Sequence, residues 1–85
     1  MLSNKAKYAI HAMVRLAKEG QNEPVAIGEI AEKENIPHKF LEAILLELKS
    51  AGYISSKKGR NGGYYLRKNP DEINLANIHR VIDGA

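Results

Sequence analysis

Apolar residues recur at Ala6, Ala9, Ile10, Met13, Val14 and Ala17, the spacing that lays one stripe of a helix against a core. The pattern predicts a helix over about Ser3 to Glu19, with Ser3 capping its first turn and Gly20 ending it. Polar Gln21, Asn22 and Glu23 then make a connection with Pro24, and Pro24-Val25-Ala26 reads as a short extended piece because of its proline and β-branched valine. A second helix follows, with Ile27, Ile30 and Ala31 inward and Glu29, Glu32, Lys33 and Glu34 in water, stopping near Asn35. Only Ile36 separates that stop from Pro37, which suits the first turn of a third helix because its missing N–H is no loss there. Leu41, Ile44, Leu45 and Leu48 form the buried stripe of that helix, which runs at about 38–51 to Gly52. His38, Lys39, Glu42 and Lys49 occupy its opposite face, and Leu46 fits neither, so it is either exposed or covered by something else.

Beyond Gly52 the period changes. Residues 53–57 and 64–68 are rich in strand formers and predict two strands. Between them lies Lys58-Gly59-Arg60-Asn61-Gly62-Gly63, where Asn-Gly is a strong hairpin signal because those residues reach positive φ cheaply. Asn69-Pro70 breaks the second strand, Asn74 can cap a last helix, and Leu75, Ile78, Val81 and Ile82 give that helix an apolar side before Gly84. The order is helix, extended piece, helix, tight turn, helix, basic hairpin and helix. It predicts a mainly α fold with one small β-hairpin, a winged helix-turn-helix, occupying residues 1–85 as one domain. In that architecture the third helix enters the major groove of DNA and the hairpin, here at about 53–68, reaches along the backbone or into the neighbouring minor groove.

Charge agrees with this placement. The net charge of +3 is by itself a weak hint of an anionic partner. Residues 1–36 carry five basic and five acidic side chains, whereas residues 37–68 carry seven basic against Glu42 and Glu47, and residues 69–85 are net acidic. More than the whole excess therefore sits on the third helix and the hairpin, as expected of a face for double-stranded DNA. Lys39 and His38 can serve phosphate or guanine, and Glu42 can accept from cytosine N4. An ordinary solvated face with a Lys39–Glu42 pair is the plainer alternative. Lys57, Lys58 and Arg60 crowd the hairpin tip beside Asn61, and like charges there call for a polyanion. Lys5 and Tyr8, near the start of the first helix, can add a phosphate contact. The competing class is a winged helix used for protein interaction or effector sensing without direct DNA binding, which leaves the basic middle unexplained.

Other chemistry finds little support. There is no cysteine, so disulfides, thiolate metal sites and cysteine nucleophiles are excluded from these residues. His11, His38 and His79 fall in three different elements, so no metal site is expected, and His79 with Asp83 reads as a surface pair. No nucleophile elbow or placed carboxylate pair supports catalysis, so no catalytic residues are assigned and the chain does not read as an enzyme. The glycines at the hairpin are no P-loop, because no Gly-Lys-Ser/Thr follows and the segment leads into a strand. The four tyrosines read as packing residues with wet hydroxyls. Apolar residues at 44% with 27% charged and a mean hydropathy of −0.40 suit a globular domain of the cytoplasm, and no apolar run approaches the roughly 20 residues of a transmembrane helix.

Six blocks in order also carry a resemblance: Ser3-Asn4-Lys5-Ala6-Lys7-Tyr8-Ala9-Ile10, Ile27-Gly28-Glu29-Ile30-Ala31, Ile36 through Glu42, Leu48 through Ile54, Arg60 through Leu66, and Ile73 through Ile78 with Asp83-Gly84. Together they resemble the Rrf family of bacterial winged helix-turn-helix transcription regulators over nearly the whole chain. The resemblance implies a dimeric DNA binder, most simply a repressor on a palindromic operator, with the family's base-reading glutamate at Glu42 and its wing arginine position at Lys58. Lysine there keeps the charge without the planar fork. The family's Gly-Pro-Gly-Gly-Gly wing tip reads Gly59-Arg60-Asn61-Gly62-Gly63 here, and Pro37 stands where many members have a capping serine. Many members also bind an iron–sulfur cluster through three cysteines after the last matched helix, followed by a long dimerisation helix. The resemblance therefore implies a homodimer in the full-length form, with both of those parts absent from these 85 residues and no cofactor held by them.

Overall fold

The computed structural model describes residues 3–19 and 23–84. Its elements are α1 (Asn4–Glu19), α2 (Ile27–Glu34), α3 (His38–Ser50), β1 (Ile54–Lys57), β2 (Gly63–Leu66), a short 3-10 turn at Pro70–Glu72, and α4 (Leu75–Asp83). The expected winged helix-turn-helix is what these residues form. The expected stop at Gly20 and the connection through Gln21 and Asn22 lie outside the described residues.

α1 packs against α2, α3, α4 and β2, while α3 packs against α1, α2, α4 and β1. Between them sits one apolar core in which Leu16, Ile30, Leu41, Ile44, Leu45, Leu48, Ile54 and Ile78 are fully buried, and no polar side chain is buried among the described residues. The four α3 residues of that set are the stripe expected from spacing, so their burial fixes the rotation of α3 about its axis.

The turn between α2 and α3 follows from three consecutive residues. Asn35 takes the left-handed conformation (φ 54°, ψ 49°), which asparagine tolerates better than most side chains. The Ile36 N–H then reaches back to the Ala31 carbonyl at 2.9 Å while the Ile36 side chain is buried, so the helix end satisfies its backbone and anchors the outgoing chain together. Pro37 follows as the cap residue of α3 with its carbonyl accepting from the Leu41 N–H at 3.0 Å. It thus stands one position ahead of the expected first-turn place, and α3 begins at His38. The same device ends α3: Gly52 has φ 87° and the Tyr53 N–H bonds the Leu48 carbonyl at 3.0 Å, turning the chain into β1.

The wing pairs Ile54 with Leu66 through Lys57 with Gly63, antiparallel. Both strands are shorter than the expected 53–57 and 64–68, and the second is shifted one residue earlier. One hydrogen bond, Arg67 N–H to Tyr53 carbonyl at 3.0 Å, continues the ladder before Asn69-Pro70 turns away. The Asn-Gly expectation also needs correction. Positive φ falls on Gly59 (112°) and Gly63 (153°), not on Asn61 or Gly62, and the tip closes by a Gly62 N–H to Gly59 carbonyl bond at 3.0 Å with Arg60 and Asn61 at the corner. Gly62 is needed for a different reason, because a Cβ there would run into the Lys57 carbonyl. The extended Val25 has a partner: its N–H and carbonyl exchange two 2.8 Å bonds with Tyr64, so it acts as a one-residue third strand. Gly63 lies so close that a Cβ would collide with the Val25 backbone.

The two ends of the described chain are clasped. The Ser3 hydroxyl accepts from the Ala6 N–H at 3.0 Å, as expected of a cap, and donates to Asp83 at 2.6 Å. Asp83 also faces His79 at 3.0 Å, the expected surface pair, and Asn74 caps α4 by accepting from the Ala76 N–H at 2.8 Å. The Ser3 hydroxyl, helped by the Ser3 N–H and the His79 charge, holds the Asp83 carboxyl below its ordinary range against the opposing effect of desolvation.

Two outcomes follow from these contacts. Gly63→Ala should lower stability by about 1–3 kcal/mol and accelerate amide exchange at Val25 and Tyr64; unchanged exchange there would contradict the close approach. Because folding depresses the Asp83 pKa, its stabilisation is present above the unfolded-state pKa and lost as pH falls through the folded one. The urea midpoint of Asp83→Asn should therefore lie below that of the unsubstituted protein at neutral pH, with the gap closing in acid; a gap independent of pH would contradict the clasp.

Candidate nucleic-acid interface

With Leu41, Ile44, Leu45 and Leu48 facing the core, the 100° step of a helix sends Lys39, Glu42, Ala43, Leu46 and Lys49 outward, and all five are exposed. Lys49 donates to the Ser56 hydroxyl at 2.7 Å, a tie between α3 and β1 that couples the orientation of the wing to that of the helix. Lys57, Lys58, Arg60 and Asn61 are exposed at the wing. Between its tip and the start of α2 lies an open groove of about 580 Å³ lined by Glu29, Lys57, Arg60 and Asn61 among others.

The two charge populations behave differently. On α1 and α2, Arg15 contacts Glu34 at 2.6 Å and Glu19 at 3.2 Å, and Lys33 contacts Glu19 at 2.9 Å and Glu29 at 3.5 Å. Glu34 foremost raises the Arg15 pKa, Lys33 foremost lowers that of Glu19, and Glu19 foremost raises that of Lys33. By contrast, among the described residues no carboxylate lies within ion-pair distance of Lys39, Lys57, Lys58 or Arg60. All four side chains are exposed to solvent.

Glu42 is paired, but not with Lys39. Its carboxylate lies 3.1 Å from His38 Nδ1, one turn back, with both side chains more than half exposed. The pair holds the carboxylate on the outward face while leaving it accessible. Lys5 and Tyr8 are placed differently from the remaining site residues. The Lys5 ammonium lies 2.9 Å from Glu47 on α3, and the Tyr8 ring packs against Phe40 with centroids 6.0 Å apart. Both therefore brace α1 against α3, and a phosphate would have to compete with Glu47 for Lys5. Sequence reasoning did not anticipate Phe40, 52% exposed beside Tyr8. Spacing alone could have flagged it, since Phe40 falls outside the buried stripe.

No helix among the described residues is long and apolar enough to cross a membrane. Nor does any group of three or more histidine, cysteine or acidic side chains among them converge as a metal site. With thiolate donors missing from all 85 residues, these residues do not fit an iron–sulfur cluster.

A family model described as Rrf2, iron-dependent transcriptional regulator, matches residues 2–85. An rrf2-like HTH-type transcriptional regulator of Rhodobacter capsulatus is 41% identical over 99% of this chain and 58% of its own length. The HTH-type transcriptional regulator IscR of Aliivibrio salmonicida is 35% identical over 96% of this chain and 49% of its own. Among solved structures, CymR, the global cysteine regulator of B. subtilis, superposes with a TM-score of 0.94 at 34% identity, covering all of this chain and 66% of that one. The chain thus spans about half to three-fifths of the length of the curated relatives it matches.

Proposed function

The chain belongs to the Rrf2 family of transcriptional regulators, and on that premise we propose that these residues are the part of the protein that reads operator DNA. The family is one of regulators, not enzymes. α3 lies in the major groove, where His38, Lys39 and Glu42 face base edges and the nearest phosphates. The wing, through Lys57, Lys58, Arg60 and Asn61, follows the adjacent backbone or minor groove, with Lys5 and Tyr8 bracing α3 and lending a further phosphate contact where Glu47 releases Lys5. The functional form is a homodimer on a palindromic site in the cytoplasm, silencing transcription by occupying that site. Two-fold symmetry of the protein then matches that of the operator.

The observation that carries this reading is the segregation of charge. Arg15 and Lys33 are engaged by carboxylates between α1 and α2, while Lys39 of α3 and Lys57, Lys58 and Arg60 of the wing have no carboxylate within ion-pair distance among the described residues. Concentrating unpaired like charges on one face costs stability unless a polyanion takes them up. A protein-interaction module would have no such requirement. Glu42 supplies selectivity within that field: a carboxylate among phosphates is costly except where it accepts from a base, as from cytosine N4.

A titration with an arbitrary-sequence duplex tests the proposal. Log K against log[salt] should fall with a slope of about −0.9 for each phosphate neutralised, and replacing Lys57, Lys58 and Arg60 together with Ala should flatten the slope by about 3 at most. Glu42→Ala should leave that nonspecific binding nearly unchanged while relaxing base preference at one position of a duplex selected from a random library. A salt-independent line would overturn the DNA reading, and uniform weakening by Glu42→Ala would overturn the role of that carboxylate.

A further inference from the structure

Leu46 has no role in the contacts described so far, and its position is informative. It is 64% exposed and lies on the outward side of α3, within about 60° of both Lys39 and Glu42 around the helix axis, about one turn beyond Glu42 and about two turns beyond Lys39. Ala43 stands next to it on the same face, and Lys49 flanks it. A single exposed leucine is ordinary on most surfaces. This one sits in the middle of a face whose cations have no carboxylate partner among the described residues, so its occupant must be anionic at the edges and apolar at a point. Of the other exposed large apolar side chains, Phe40 packs on Tyr8 and borders a groove with Lys5, Lys39 and Ala43, and Val14 and Leu75 border a separate groove with Pro70 and Ile73.

We infer that Leu46, together with Ala43, is a specificity residue that reads the C5 methyl group of thymine. The inference rests on the DNA reading above and deepens it. In the major groove the phosphates form charged rims, and the bulkiest apolar group that bases present on the floor is the thymine methyl. An apolar side chain on the same face, one turn beyond Glu42, meets that methyl when the two polar residues reach their own neighbours. A purine edge at the same place would instead have its N7 covered without a partner, and cytosine, with only a C5–H there, would lack the methyl contact. Leu46 thus adds an apolar contact about one helical turn beyond Glu42 and two beyond Lys39, so the sequence read by α3 extends past the bases that Lys39 and Glu42 reach.

The test uses duplexes enriched from a random-sequence library by the protein itself. Each thymine of the enriched site is replaced in turn by uracil, which removes one methyl and nothing else. At one or two positions per half-site, uracil should weaken binding about fourfold, the size of one buried methyl, and Leu46→Ala should abolish that penalty while leaving thermal unfolding unchanged. Leu46→Met, which keeps an apolar tip, should retain it. If a site is enriched but uracil is tolerated at every position, or if Leu46→Ala keeps the full penalty, the role of Leu46 is overturned while the DNA reading stands. That role is overturned equally if Leu46→Ala leaves the uracil penalty intact and changes only the sedimentation of the protein, because Leu46 is then covered by protein. If no sequence is enriched over the starting pool, both readings fall together.

Discussion

The burial of one stripe of α3, namely Leu41, Ile44, Leu45 and Leu48, is the constraint on which the remaining structure depends. These side chains face α1, α2, α4 and β1 from a single helix, and truncating a buried side chain of this kind typically costs about 2–5 kcal/mol, a large share of the roughly 5–15 kcal/mol by which domains are stable. Their burial decides the rotation of α3. The rotation in turn decides that Lys39, Glu42 and Leu46 face outward together, so the chemistry available to a partner is a consequence of hydrophobic packing on the reverse side.

Two turns transmit that constraint along the chain. Asn35 and Gly52 each take a left-handed conformation just beyond a helix, and in each case a following N–H reaches back five residues to close the end. The first turn sets α3 against α2; the second delivers the chain into β1, where Lys49 on α3 ties to Ser56. The Val25–Tyr64 bridge fixes the wing from its other side. The exposed cations of the wing tip are thereby carried on a hairpin held at both edges. Charge follows the same division of labour, since Arg15 and Lys33 are consumed in bridging α1 and α2 while the tip is left unpaired.

The fold was legible in the sequence wherever periodicity was strong. The four helices, the tight turn before α3 and the hairpin all follow from spacing and turn residues, because a helical stripe and a glycine-rich tip are local signals. Three kinds of feature were not legible. The wing turn took positive φ at Gly59 and Gly63 rather than at Asn61-Gly62, because the close approach of Lys57 and Val25 decides which glycine does what. Glu42 paired with His38 rather than Lys39, since two spacings on one helix were equally allowed and side-chain reach chose between them. Lys5 and Tyr8 turned toward α3 because Glu47 and Phe40, distant in sequence, are brought beside them only by the packing of α1 on α3. Leu46, which broke the apolar pattern, was legible as an anomaly, and the structure places it on the outward face with the polar residues.

The face proposed to take up DNA is formed by the outward side of α3 and the wing tip. Mapping amide chemical-shift changes on adding a duplex at low salt tests it most directly. Changes should concentrate at Lys39, Glu42, Leu46 and Lys57 through Asn61, with Val14 and Leu75 unaffected. Changes centred on the α1–α4 side, or none along α3, would contradict it.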